Sequence, residues 1–264
     1  MRPAPFAWER PGTVSEAIAA LVSGGPVARL LAGGQSLVPQ LIRRELTVDR
    51  LIDLGGVAEL RSVRVEEDLQ ARMCARLGAM VTVAVLEDDP RIRERWPLLA
   101  ECARHVGHRP IRARSTVGGA IAFADPPAEV PLALAVLGAE VEIAGPNGTV
   151  RMGAGSRPIA PGELITAVTI PAPGAGGWGF HEVSRRLNDR ALAVAAAVIT
   201  AGSTLRLATA TATSPPRVVE LPGGKSADEI DVLGLPDDEP TRRALRESVR
   251  HAVADARERA RVDA

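Results

Sequence analysis

Apolar residues recur at helical spacing at Val14, Ala17, Ile18 and Leu21, with Thr13 before them, Glu16 three positions after Thr13, and Gly24-Gly25 beyond. An N-cap, a capping box and a glycine stop predict a helix over 13–23. A short apolar run over 27–32 predicts a strand, Gly33-Gly34-Gln35-Ser36 a turn, 37–43 a helix and 50–53 a second strand. This strand–turn–helix–strand order predicts a small α/β unit over 1–56. In the middle, 61–65 and 71–77 predict paired strands, 81–86 and 98–106 helices, the second behind Pro97, and 128–137 another helix. Strands follow over 139–144, 150–152 and 164–170, the first two separated by Pro146-Asn147-Gly148. The Pro/Gly/Ala stretch 171–177 reads as a linker. Beyond it, three antiparallel strands over 179–184, 192–200 and 204–211 precede a polar, Pro/Gly-rich stretch to Pro240 and a helix over 241–261. The expected class is α+β, in three parts: 1–56, 57–173 and 174–264.

Composition narrows the function. The 264 residues carry 32 basic and 32 acidic side chains, so no net field favours nucleic acid or an anionic membrane. Three Phe, three Trp and no Tyr leave few platforms for stacking bases and a core of Ala, Val, Leu and Ile. Cys74 and Cys102 are too few for a four-cysteine zinc site or an iron–sulfur cluster, and buried free thiols are expected. His105, His108 and His181 suggest no third metal ligand, so no metal is expected. The N-terminal residues lack the apolar core of a signal peptide, and the longest apolar run, 191–201, is too short to span a bilayer. The expected setting is cytoplasmic.

Two glycine segments carry candidate chemistry. In Ala32-Gly33-Gly34-Gln35-Ser36-Leu37, glycines between a strand and a helix let the backbone approach an anion while the N–H groups of the turn point at it. In Thr116-Val117-Gly118-Gly119-Ala120, a second glycine turn follows Arg112 and Arg114 and leads to Asp125, and this turn could take the other side of the same diphosphate. Asp125 stands just before a helix, where capping and acceptance of ligand hydroxyls both remain open. A tight connection without a ligand would use the same residues. Neither segment is G-x-G-x-x-G or a P-loop, which disfavours a conventional dinucleotide fold.

Taken together, Ala32 to Pro39 and Thr116 to Gly119, with Asp125-Pro126 and Pro131, resemble the two flavin loops of the medium, FAD-binding subunit of molybdenum hydroxylases, the group of carbon monoxide and xanthine dehydrogenases. Residues 6–12, Thr169-Ile170-Pro171, and Arg185-Arg186 with Asp189 and Ala191 match in order, and the resemblance runs from about Arg2 to about Pro216. It implies a two-part, PCMH-like FAD-binding region followed by an antiparallel sheet with a helix. It also implies an extended FAD, its diphosphate on Ala32, Gly33, Gly34, Gln35, Ser36 and Leu37 and on Thr116, Gly118 and Gly119. Asp125 is similar in place to an acid that contacts the cofactor, Ile165 lies on a strand segment near the ring, and Arg185 or Arg186 matches a basic position beside it. No catalytic residue is assigned; Glu182, Asp189 and His181 are open acid/base candidates. The implied partners are an iron–sulfur subunit and a molybdopterin subunit, with a small-molecule electron acceptor. Departures are Ala120, where relatives have Asn or Ser, Arg190, where they have an aromatic residue, and an acidic C-terminal stretch where they carry a Tyr-Arg-containing helix. These departures keep two other readings open, a stand-alone FAD-dependent enzyme and a scaffold without redox chemistry.

Overall fold

The computed structural model describes residues 2–67, 73–155, 158–172, 176–186, 189–200, 203–222 and 238–262. In chain order the elements are β1 (Ala7–Glu9), α1 (Val14–Ser23), β2 (Ala28–Leu31), α2 (Leu37–Arg43), β3 (Arg50–Asp53), β4 (Val63–Glu67), β5 (Met73–Gly78), α3 (Val83–Asp88), α4 (Pro90–Arg95), α5 (Pro97–His105), α6 (Arg109–Arg112), α7 (Val117–Phe123) and α8 (Glu129–Val136). There follow β6 (Glu140–Gly145), β7 (Gly148–Gly153), β8 (Leu164–Pro171), β9 (Trp178–Val183), β10 (Ala193–Ile199), β11 (Thr204–Thr211), β12 (Arg217–Pro222) and α9 (Glu239–Val262). The class is α+β. Parts of the expected strand over 71–77, the linker 171–177 and the polar stretch before Pro240 lie outside the described residues. No helix among the described residues is long and apolar enough to cross a membrane.

Two compact units are present, each assembled from separated stretches of chain. The first takes Met1–Val85, Arg109–Phe123 and Glu140–Thr169. It contains a parallel sheet in the order β1-β3-β2 and a five-stranded sheet in the order β4-β5-β8-β6-β7. α1 shows why the sequence folds as it does. Thr13 accepts from the Glu16 N–H at 3.2 Å, the Glu16 carboxylate reaches back to the Thr13 N–H at 3.3 Å, and Ala17, Ala20 and Leu21 are buried. The core beneath it joins Ala17, Leu54, Val57, Leu60, Met80 and Leu164.

The second unit takes Leu86–His108, Ala124–Ala139 and Ile170–Ala264, and is built on the antiparallel sheet β12-β11-β10-β9. Both faces of that sheet are covered, so β10 reads as an unbroken apolar run rather than an alternation. Ala193, Ala195 and Ala197 meet Leu245, Val249, Ala252 and Ala256 of α9, while α8 packs on β10 and β11 and α5 on β9. Small residues bring α9 very close: a Cβ on Gly179 would lie 1.9 Å from the Ala252 carbonyl oxygen. Trp96 is fully buried, with its indole N–H on the Pro171 carbonyl at 2.9 Å; otherwise Leu and Ile supply most of the largest buried side chains.

Candidate functional site

β2 delivers the chain to the first glycine segment, and packing shapes that turn. A Cβ on Gly33 would stand 1.9 Å from the Arg114 carbonyl oxygen and 3.1 Å from the Ser115 Cα, so no other residue fits this backbone. Gly34 takes φ +75°, the left-handed region. The Gln35 side-chain amide donates to the Gly33 carbonyl at 3.0 Å, and the Val38 N–H to the Gly34 carbonyl at 3.1 Å. Ser36 is the N-cap of α2, yet its hydroxyl makes no capping bond. Leu37 anchors the helix on a cluster of Leu41, Val48 and Leu51. The N–H groups of Gly33, Gly34, Gln35 and Ser36 have no acceptor among the described residues. Buried or half-buried donors of this kind are normally paired. A run of them in a glycine turn is an anion-binding concavity.

The second segment is not the free turn that its glycines suggest. Gly118 and Gly119 lie in the first turn of α7. The Val117 and Gly118 N–H groups donate to the carbonyls of Val81 and Ala79, both at 2.9 Å, and the Gly119 N–H donates to the buried Thr116 hydroxyl at 3.1 Å. A Cβ on Gly118 would come within 2.6 Å of the Ala79 Cβ, so this glycine lets α7 lie on the strand exit after β5. Gly119 leaves space for the Thr116 hydroxyl, and its own Cβ would be 3.6 Å from the Ala32 Cβ. Thus, within the first unit, the two glycine segments lie against each other at Gly33–Arg114 and at Ala32–Gly119. Ile165, on β8, is 4% exposed and sits in the core of this unit; its neighbour Thr166 accepts from the Ala79 N–H at 3.0 Å.

Asp125, Arg185 and Arg186 belong to the second unit. Asp125 does not cap α8, whose N-cap is Ala128. Its carboxylate instead holds Arg190, with Nη2–Oδ1 at 2.6 Å and Nε–Oδ2 at 3.0 Å, and Arg190 also donates to the Ala212 carbonyl at 2.8 Å. The preceding residue, Ala124, is forced to φ +52°. Arg185 and Arg186 are exposed in the connection after β9, where the Ser184 hydroxyl donates to the Arg186 carbonyl at 2.9 Å.

A charged cluster in the second unit went unread in the sequence. His105 contacts Glu182 through Nδ1 at 3.1 Å and Glu101 through Nε2 at 3.3 Å, with Phe180 edge-on. Hydrogen bonds to Glu101 and Glu182 raise the imidazole pKa to about 9. Glu182 is 6% exposed and its second oxygen has no partner. Burial raises the nearby Glu129 to about 7 and also pushes up the fully buried Cys102 thiol. The i,i+4 spacing of Glu101 and His105 was a signal for half of this cluster; nothing local marks Glu182. Both cysteines are buried free thiols, as composition suggested.

Comparison with known proteins fits this geometry. Residues 4–173 match the profile described as the FAD binding domain in molybdopterin dehydrogenase. The chain is 35% identical over 208 residues to the carbon monoxide dehydrogenase medium chain of Afipia carboxidovorans, covering 76% of this chain and 70% of that one. Among solved structures it is similar to carbon monoxide dehydrogenase from Hydrogenophaga pseudoflava lacking the Mo-pyranopterin moiety of its molybdenum cofactor, with TM-score 0.88 and 29% identity over 98% of this chain and 100% of that one. It is also similar to quinoline 2-oxidoreductase from Pseudomonas putida 86, with TM-score 0.86 and 28% identity over 97% and 98% of the two chains.

Proposed function

Because the chain belongs to the family of FAD binding domains in molybdopterin dehydrogenase, we propose that it is the FAD-carrying subunit of an oxidoreductase complex, holding the cofactor diphosphate on its two glycine segments. The observation that carries this reading is the run of N–H donors from Gly33 to Ser36 with no acceptor among the described residues. Four such donors in one turn suit the oxygens of a diphosphate, and the missing Cβ at Gly33 lets that turn lie directly on the Arg114 backbone. When bound, FAD supplies the redox chemistry that amino-acid side chains lack.

The residues divide the work of binding. Gly33 and Gly34 shape the turn, and Gln35 braces it through the Gly33 carbonyl. The Ser36 hydroxyl remains a further donor. Thr116, Gly118 and Gly119 hold the start of α7 in place, so they fix the second wall rather than offer free donors. Electrons enter from an iron–sulfur subunit fed by a molybdopterin subunit and leave to a small-molecule acceptor. Two buried free thiols support a reducing, cytoplasmic setting.

The test is the visible spectrum of the purified chain, followed by identification of the released cofactor. Wild type is expected to release FAD. Gly33→Val should lose it while Gly145→Ala, where a Cβ meets only ordinary contact at 3.4 Å, keeps it. A colourless protein that takes up no added FAD ends this reading. FAD-loaded protein that turns over a substrate alone and purifies without iron–sulfur and molybdopterin partners favours a stand-alone enzyme instead.

A further inference from the structure

Resting on that reading, we propose that Arg114 supplies the positive charge the two glycine segments lack, and so selects a diphosphate-bearing cofactor over the bare flavin. Residues 32–37 and 116–120 contain no cation. A diphosphate would therefore meet only neutral donors there, although oriented N–H groups and a guanidinium together bind phosphate far better than either alone.

Arg114 is placed to fill this gap. Its carbonyl is the atom pressed against Gly33, so its backbone lies beside the turn with the unpaired N–H groups. That backbone is rigidly held: the Arg114 and Ser115 N–H groups both donate to Ile111, at 3.0 and 2.7 Å, and the Ser115 carbonyl accepts from Val83 at 2.9 Å. The side chain is exposed, and its guanidinium has no acceptor among the described residues. Several other arginines of the same unit are committed elsewhere, Arg43 to Glu45, Arg50 to Glu9, and Arg76 and Arg151 to Glu142. An uncommitted cation anchored at the wall of an anion cradle is free to close on a phosphate oxygen.

The experiment is calorimetric titration of the full chain, stripped of cofactor, with FAD and with riboflavin, at low and moderate salt. Arg114→Gln is expected to weaken FAD binding about tenfold, the value of one charge-assisted hydrogen bond. It should also flatten the salt dependence while leaving riboflavin unaffected. Arg114→Lys, keeping the charge without the fork, should fall between the two. Helical content and melting temperature of the unloaded variants should match wild type, because the side chain is exposed. Equal FAD affinity and equal salt dependence in wild type and Arg114→Gln overturn the proposal, as does equal weakening of FAD and riboflavin. Failure of wild type to bind FAD at all overturns the underlying reading with it; wild-type binding lost in Gly33→Val but not in Arg114→Gln overturns this inference alone.

Discussion

Replacing His105 with alanine tests the charged cluster of the second unit. The imidazolium bridges Glu101 and Glu182, and Glu182 is 6% exposed with one oxygen already unpartnered. Breaking a buried pair typically costs about 3–5 kcal/mol, because a charge is left without its counter-ion. His105 itself is 29% exposed, and Glu182 can take up a proton, so a loss of about 2–3 kcal/mol at neutral pH is the expectation. The pH dependence gives a sharper signature. His105 has its pKa raised from 6.5 to about 9 on folding, so its contribution is complete below 6.5 and disappears as pH rises through 9. The difference corresponds to about 3 kcal/mol, which partial exposure reduces to about 1–2 kcal/mol. Urea unfolding followed by tryptophan fluorescence reads the right unit, since Trp96 and Trp178 both lie in it. The gap between wild type and His105→Ala should narrow between pH 6.5 and 9, and Glu182→Gln added to His105→Ala should restore part of the loss. A gap that stays constant over this range, or a second substitution that deepens the loss, would refute the reasoning.

Other expectations follow from the same geometry. Glu129, raised to about 7 by burial, binds a proton in the folded state that the unfolded chain has already released, so stability falls as pH rises from 4.5 through 7. Glu129→Gln should therefore melt higher than wild type at pH 8 by the equivalent of about 2–3 kcal/mol and should match wild type at pH 4, where Glu129 is protonated in both states; an advantage of equal size at both pH values would contradict this assignment. Gly179→Ala drives a Cβ into the Ala252 carbonyl and should cost more than about 3 kcal/mol, read as lost cooperativity in a helical-signal melt; a wild-type melt would show that α9 does not sit where described. Cys102, fully buried with a raised pKa, should react with a disulfide reagent only as fast as the protein unfolds, and rapid labelling of the native chain would count against its burial.

Where local chemistry alone decides an element, the chain could be read directly. α1 has its cap, box and stop in neighbouring residues, and α2 and β3 were readable to the residue because glycines and apolar runs bound them. β1 and β12 were not, because Pro3, Pro5 and Pro11 around the first and Pro215, Pro216 and Pro222 around the second resemble loop. Both are edge strands, where a missing N–H is tolerated. α4 carries Arg91, Arg93, Glu94 and Arg95 and has only Ile92 to bury, too little for an apolar stripe. Gly118-Gly119 suggested a turn from propensity, but tight packing on Ala79 rewards glycine inside a helix start. Both glycine segments could be picked out as motifs, whereas the Gly33–Arg114 contact could not, since spacing carries no information about which backbones touch. The Asp125–Arg190 pair, 65 residues apart, is invisible for the same reason. So is the way each unit is gathered from separate stretches of chain.

The docking of α9 shows how a chain can vary in sequence and keep its shape. Gly177 and Gly179 admit the main chain of the helix at Ala256 and Ala252, so the contact is made between backbones. Backbone is common to every residue type. At those two points the joint asks only that the facing positions be small, while the buried stripe of Leu245, Val249 and Val253 completes the seat and leaves the solvent side out of it. The likeness to solved structures spans 98% of the chain while the alignment to the Afipia medium chain spans 76%. The outward face of α9, rich in Arg and Glu, is therefore open to rewriting. A surface that can change without disturbing its own foundation is a natural place for one lineage to acquire neighbours that another lacks.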